Sequence, residues 1–148
     1  MNKKTVEIWY VILLPVLYGK DHRMTDNSAE YKTEQYLKEF YDLSNTTDIK
    51  GFYYETRLHS VIVLEISLAS FNKNHPVSFE YLCENIPKKL GKRTTIQTIL
   101  NEGVRKGYFL KIKNEKDQRI KFYTLENNSL EIIEKWWVDR EEFSTIWF

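Results

Sequence analysis

The segment from residue 93 to residue 105 constrains the fold most, because it reads as a helix with two different faces. Its apolar residues recur at three- and four-residue spacing and form one stripe: Ile96, Ile99, Leu100, Gly103 and Val104. The opposite face carries hydroxyls, amides and a guanidinium: Thr94, Gln97, Thr98, Asn101 and Arg105. Such side chains can reach the base edges and phosphates of a nucleic acid.

The segments on either side of this helix complete a recognisable order of elements. Residues 76–87 predict a shorter helix, and Ser78 is its expected N-cap. After the polar-faced helix come two alternating runs, 108–113 and 118–125, joined by the polar turn 114–117. Helix, turn, helix and basic hairpin are the order of a winged helix-turn-helix. The expected fold class is therefore mainly α with a small β-hairpin wing (α+β).

Positive charge is concentrated in the same part of the chain. Residues 88–121 contain three acidic side chains, Glu102, Glu115 and Asp117, and the chain as a whole has a net charge of +1. The basic residues of this segment number eleven: Lys88, Lys89, Lys92, Arg93, Arg105, Lys106, Lys111, Lys113, Lys116, Arg119 and Lys121. The segment is thus +8 and the remainder −7, and a basic patch of this kind is typical of a surface that binds a phosphate backbone.

Three motifs in this segment resemble those of the MarR family of transcriptional regulators. They are the Lys-Gly step within residues 103–109, where the family has Lys-Gly-aliphatic and this chain has Lys106-Gly107-Tyr108, the Asp-x-Arg of Asp117 and Arg119, and Leu125, six residues after that Arg. The resemblance covers about residues 54–137. Gly103 stands where the family usually has a leucine. The resemblance implies a winged helix that binds DNA as a dimer through its terminal helices.

The rest of the chain predicts further helices. A helix is expected over 29–43 and a loop over 44–48. The most apolar helix is expected from about 53 to 71, buried on more than one face beneath the helix-turn-helix. After the wing, 127–129 are expected to cap a last helix that begins at about residue 130. We divide the chain into an apolar arm with a linker, 1–28, and a winged-helix domain, 29–148, with its DNA-binding core at about 54–125.

Apolar residues at both chain ends predict a homodimer. The run from residue 8 to residue 18 is too short to span a bilayer, so no stable membrane insertion is expected. It is interpreted as an arm that packs on a partner subunit, with membrane contact as the minority alternative. The expected interface residues are Trp9, Leu13, Trp136, Trp137 and Trp147.

The sequence predicts no catalytic centre and no cofactor. His22, His59 and His75 are scattered, and the Glu55–His59 pair, one helical turn apart, has no third ligand nearby in sequence. Cys83 is the one cysteine, which favours a reducing cytoplasm. A small buried side chain is its preferred interpretation, and a redox role is the alternative, because Lys88 and Lys89 could lower its pKa. We therefore expect neither an enzyme nor a metal protein.

The preferred hypothesis is a dimeric, DNA-binding transcriptional regulator that reads a pseudo-palindromic duplex. The alternative is a winged-helix module that docks on protein or RNA. The residues expected to read the major groove are Thr94, Thr95, Gln97, Thr98 and Asn101, and those expected on phosphates are Lys92, Arg93 and Arg105. Lys113, Lys116 and Arg119 are expected to bind DNA from the wing, with Asp117 orienting Arg119. A small-molecule effector is a further candidate partner, in a cleft lined by Tyr36, Phe40, Tyr53 and Tyr54, although these aromatics also suit an ordinary core.

Overall fold

The computed structural model describes residues 28–145, with side chains up to residue 139. The chain divides into two compact units, Met1–Lys38 and Glu39–Phe148, and each is described by itself. The elements are α1 (Ala29–Leu43), α2 (Ile49–Tyr53), α3 (Arg57–Phe71), α4 (Phe79–Asn85), α5 (Arg93–Arg105), β1 (Phe109–Lys113), β2 (Lys121–Leu125) and α6 (Asn127–Thr145). These elements confirm the predicted fold class. Trp9, Leu13 and Trp147, predicted in a dimer interface, lie outside the described residues.

Helix α3 lies at the centre of the second unit and packs against α2, α5, β2 and α6. The core around it combines residues from every one of these elements: Ile49, Phe52, Leu58, Ile62, Val63, Ile66, Leu82, Ile96, Ile99, Leu100, Phe109, Tyr123, Leu125, Ile133 and Trp136. Packing of its apolar residues in this core fixes the orientation of α5, and therefore the direction in which its polar face points.

The wing is an antiparallel hairpin in which Phe109 pairs with Leu125 and Lys113 pairs with Lys121. It is tied to the helix-turn-helix by a bridge between Ser78 and Phe122. Next to this bridge the amide of Tyr123 donates to the carbonyl of Val77 over 2.8 Å. Because a two-stranded hairpin is marginally stable alone, these contacts with the segment before α4 help to hold the wing in place.

The central helix begins later than the sequence predicts. The expected start is Tyr53, but α3 starts at Arg57, after Thr56, whose hydroxyl accepts from the amide of His59 at 3.3 Å. The short helix α2 is absent from the sequence-based prediction, which places its cap, Asp48, at the end of a loop. The Asp48 carboxylate accepts from the amide of Lys50 at 2.8 Å.

The predicted burial of α3 on more than one face is only partly correct. Leu58, Ile62 and Ile66 are buried, whereas Leu64 and Leu68 on another face are 41% and 47% exposed. The helix has more apolar residues than its buried face holds, and the additional ones, Leu64 and Leu68, lie at the surface of the second unit.

The last helix also differs from the prediction. Residues 127–129 form its first turn rather than its cap, and the Glu126 side chain accepts from the amide of Asn128 at 2.8 Å. Trp136, predicted in a dimer interface, is instead buried within the chain. Its ring lies 5.1 Å from that of Tyr53 and is stacked on Trp137 at 5.0 Å, centroid to centroid. It therefore stabilises the fold of the chain itself.

The cap of α4 yields a stability prediction. The Ser78 hydroxyl accepts from the amide of Tyr81 at 3.1 Å, in agreement with the sequence-based expectation. Ser78→Ala should lower the free energy of unfolding by about 1 kcal/mol, because a first-turn amide loses its partner. Urea denaturation measures this loss. Ser78→Asn, which keeps a capping oxygen, should change stability far less, and equal losses in the two variants would contradict the role of the cap.

Candidate nucleic-acid interface

Helix α5 presents the two faces that its sequence predicts. Ile96, Ile99, Leu100 and Gly103 are buried. Along the opposite side the exposed residues are Thr94, Thr95, Thr98 and Asn101, and Gln97 is half-buried. Because the apolar stripe is fixed in the core, the hydroxyl and amide groups point away from it, into solvent. None of the predicted base-reading residues is used in packing the core.

The end of α5 is fixed by a Schellman motif around Gly107. Its φ is +76°, a conformation that favours glycine. The amide of Tyr108 donates to the carbonyl of Gly103 at 2.8 Å, and that of Gly107 to Val104 at 3.1 Å. This stop turns the chain directly into β1, and it explains why a Lys-Gly-aromatic step stands between the polar-faced helix and the wing.

Neighbouring polar side chains on α5 already contact one another. The Gln97 amide nitrogen donates to Oδ1 of Asn101 at 3.0 Å, and the Thr98 hydroxyl donates to the carbonyl of Thr94 at 2.9 Å. This first bond does not use the amide oxygen of Gln97 or the amide nitrogen of Asn101. One acceptor and one donor therefore remain, and an adenine edge requires one of each.

Arg93 lies in a different environment from the one predicted. Its guanidinium donates two bonds to the Glu80 carboxylate, at 2.7 and 3.0 Å, and lies 4.9 Å above the Phe79 ring. These bonds hold the pKa of Glu80 below its ordinary value and raise that of Arg93. Arg93 thus joins the start of α5 to α4. Sequence reasoning missed Glu80, since nothing in the pattern pairs two residues on different helices.

The two ends of α5 carry the other predicted phosphate contacts. Lys92 is the N-cap residue, and its side chain makes no capping bond. Arg105 is 73% exposed, and its guanidinium lies 3.9 Å from the Glu102 carboxylate, a loose ion pair. Both cations are therefore at the surface of the described chain, flanking the polar face.

The wing tip is built differently from the prediction. The second run of the wing is predicted to begin at residue 118, with the Asp117 side chain orienting Arg119, but β2 begins only at Lys121 and both residues lie in the turn. The Asp117 carboxylate accepts from the backbone amide of Arg119 at 3.0 Å, which shapes the turn. Lys113, Lys116 and Arg119 are exposed, and none forms an ion pair with another described residue.

Cys83 does not resemble a reactive thiol. It is half-buried on α4, and burial raises its pKa above the ordinary value, outweighing the opposing effect of Arg93. The lysines at 88 and 89, expected to lower this pKa, are not among the charged groups that shift it. A raised pKa leaves little thiolate at neutral pH, which is the opposite of what a redox sensor needs.

Three of the four aromatics predicted to line an effector cleft contact one another. The ring centroids of Phe40 and Tyr54 lie 4.7 Å apart and those of Tyr53 and Tyr54 lie 5.0 Å apart, in edge-to-face arrangements, while Tyr36 and Phe40 are exposed. An open cleft of about 450 Å³ lies elsewhere in the second unit, and its lining is mostly polar: Ser44, Thr46, Thr47, Asp48, Gly51, Phe52, Glu55, Lys106 and Tyr108.

Comparison with known proteins gives the class of fold. No protein-family model and no curated protein matches the sequence. Among solved structures, the heme sensor protein PefR from Streptococcus agalactiae in complex with heme is similar, with a TM-score of 0.52 and 10% identity over 84% of this chain and 78% of that chain. PefR with heme and carbon monoxide gives a TM-score of 0.52 and 11% identity over 80% and 75%. The transcriptional regulator BldR from Sulfolobus solfataricus gives a TM-score of 0.42 and 16% identity over 99% of this chain and 85% of that chain.

The likeness to PefR shows a shared fold, and the element order places the chain in the winged-helix class. Among the described residues, no helix is long and apolar enough to cross a membrane. Membership of the MarR family stays a prediction from the motifs.

Proposed function

We propose that this protein is a dimeric transcriptional regulator that binds double-stranded DNA, with α5 in the major groove and the wing on the flanking backbone. One observation carries the proposal: the face of α5 that points away from the core consists of hydroxyl and amide groups. A helix that docks on another protein would more often expose aliphatic or aromatic side chains there. Helices of this kind read base edges in winged-helix regulators.

Base readout is assigned to the two amides of α5. The bond between Gln97 and Asn101 leaves one amide acceptor and one amide donor unused, which supports a bidentate contact with adenine. The hydroxyls and methyl groups of Thr94, Thr95 and Thr98 surround this pair and suit contacts with thymine methyls or further base edges. We therefore assign the DNA sequence preference of the protein to these five residues.

Backbone contacts are assigned to the ends of α5 and to the wing. Because Lys92 provides no side-chain cap, amides of the first turn remain able to bind a phosphate. Arg105 is exposed at the other end of the helix. From the wing, Lys116 and Arg119 extend from an ordered turn and can reach the adjacent minor groove or its phosphates.

Dimerisation is part of the proposal. A two-fold dimer matches a pseudo-palindromic site, with one α5 for each half-site. Surface apolar residues of the second unit support association: Leu64, Leu68, Phe71 and Val138 are 41–56% exposed. Sedimentation at micromolar concentration tests this step, and a monomer mass would contradict it.

A small-molecule effector stays a prediction. PefR binds heme in the similar structures. The described histidines of this chain do not favour heme as its ligand. His59 is buried, and His75 contacts Glu65 and Tyr81 at 3.4 and 3.2 Å. A change in thermal stability with added hemin or aromatic acids would identify an effector.

The alternative function, a docking module for protein or RNA, is favoured by one observation. The wing exposes three aliphatic side chains, Leu110, Ile112 and Ile120, at 41–48%. Enrichment of binders from mixed pools of random duplex DNA and random RNA separates the functions. The proposal predicts enriched duplexes with two related half-sites. Enrichment of RNA, or no enrichment of either pool, would contradict it.

The Arg93–Glu80 pair gives a prediction on affinity. Glu80→Gln should raise duplex affinity by more than Glu84→Gln does, because it both removes a negative charge and releases the Arg93 guanidinium toward phosphate. Glu84 is exposed on the same helix and controls for the charge alone. Fluorescence anisotropy with one duplex at fixed salt measures both variants. Equal gains would show that Arg93 contributes nothing further once released.

A further inference from the structure

Two carboxylates and a histidine from separate parts of the chain meet beside the end of α5. Glu55 precedes α3, His59 lies in the first turn of α3, and Glu102 lies near the end of α5. One ligand atom of each lies within 4.8 Å of the others. Nε2 of His59 is 3.1 Å from Oε2 of Glu55. The sequence shows the Glu55–His59 pair, but only the fold brings Glu102 to it.

The histidine is buried beside the two carboxylates. Its side chain is 9% exposed, and its Nε2, although 3.1 Å from the Glu55 carboxylate, makes no well-aligned hydrogen bond with any described residue. The other ring nitrogen, Nδ1, lies 2.8 Å from the Thr56 hydroxyl. When Nδ1 carries the proton and donates it to Thr56, Nε2 keeps a lone pair that can bind a metal ion. This is how histidines that bind metals are usually oriented.

Packing fixes the plane of the His59 ring. The ring is packed edge-on against Phe52, with centroids 4.7 Å apart, which holds its plane.

One cation already pairs with both carboxylates. The Lys106 ammonium lies 3.0 Å from Glu102 and 3.6 Å from Glu55, and the side chain is 31% exposed. Its flexible stem lets it withdraw into solvent. Glu55 and Lys106 also line the polar cleft of about 450 Å³, which gives an ion and a water ligand a route to the cluster.

We propose that Glu55, His59 and Glu102 form a binding site for a divalent transition metal such as Zn²⁺, in competition with the Lys106 ammonium. One imidazole and two carboxylates are a mixed nitrogen and oxygen set that favours Zn²⁺ over Mg²⁺ or Ca²⁺. Tetrahedral ligand atoms about 2.0–2.1 Å from zinc lie roughly 3.3 Å apart. Side-chain rotations that move each ligand atom by about an ångström would therefore close the site. A water from the cleft supplies the fourth position. The proposal does not depend on DNA binding.

Titration of the full chain with Zn²⁺, and with Co²⁺ as a spectroscopic probe, tests the site. The expected result is one ion per chain, with Co²⁺ absorption typical of tetrahedral coordination. Glu102→Gln and His59→Gln should each weaken binding about tenfold or more. His75→Gln is the matched control, because His75 also faces a glutamate, Glu65, at 3.4 Å and should bind the metal no differently from the wild type.

Lys106→Met separates a metal site from a structural ion-pair cluster. Removal of the competing ammonium should strengthen Zn²⁺ binding several-fold. Glu102 is half-exposed, so its glutamine variant should remain folded, and far-UV circular dichroism checks each variant. Three results would each overturn the proposal: no Zn²⁺ bound by the wild type, equal losses in His75→Gln and Glu102→Gln, or weaker binding by folded Lys106→Met. Because no DNA is present, failure here leaves the proposed regulator function intact.

Discussion

Replacement of Gly103 by leucine is expected to lower the free energy of unfolding by about 3 kcal/mol. A Cβ at this position would overlap the ring of Phe109, which is 1% exposed and packs on Phe52 with centroids 5.8 Å apart. A leucine is the residue that the resemblance to the MarR family predicts at this position. At an open helix position, replacing glycine with leucine should stabilise a protein, since glycine is the poorer helix former. In this chain the aromatic ring occupies the space, so the sign is reversed.

Urea denaturation of Gly103→Leu measures the loss, and Thr95→Leu on the exposed face of α5 is the matched control, expected within about 0.5 kcal/mol of the wild type. Addition of Phe109→Ala should make the Gly103→Leu substitution less costly than it is beside the intact ring. A Gly103→Leu protein as stable as the wild type would show that the ring is not fixed against the glycine.

Gln97→Ala is expected to cost about 1–3 kcal/mol of affinity for a cognate duplex while leaving binding to random duplexes nearly unchanged. The loss follows from the removal of a bidentate base contact and from the unpaired Oδ1 that remains on Asn101. Arg105→Ala should instead weaken cognate and random duplexes alike, because its guanidinium is assigned to a phosphate.

Parallel anisotropy titrations of these two variants, each on a selected duplex and on a scrambled one, provide the comparison. Thr33→Ala, on α1, controls for changes of an exposed polar side chain elsewhere. A uniform loss for both duplexes in Gln97→Ala would mean that α5 does not read bases directly.

Local patterns in the sequence predicted much of the fold. The bounds of α1 and the buried stripe of α5 were correct, because helix periodicity and the apolar face are properties of a single segment. Ser78 was predictable as a cap for the same reason. Once the apolar stripe of α5 is placed in the core, the polar residues on the other side of the helix must face solvent.

Interactions between separate segments were not predictable in this way. The Arg93–Glu80 pair joins two helices, and the packing of Trp136 on Tyr53 joins two ends of the domain. Residues 118–120 were predicted as part of the second strand but belong to the turn, because a two-residue alternation looks the same in a strand and in a polar turn. Glu102 could be placed beside His59 only once the fold was known.

The salt dependence of duplex binding tests the central claim most directly. The claim assigns Lys116 and Arg119 of the wing to DNA, so the affinity of the wild type should fall linearly on a log–log plot against salt. The double variant Lys116→Ala/Arg119→Ala should reduce the magnitude of this negative slope by about 0.9 for each phosphate that the wing no longer neutralises. Lys73→Ala/Lys135→Ala, which removes the same charge from exposed positions outside α5 and the wing, should leave the slope nearly unchanged. A wild-type slope near zero, or equal slopes for the two double variants, would contradict the assignment.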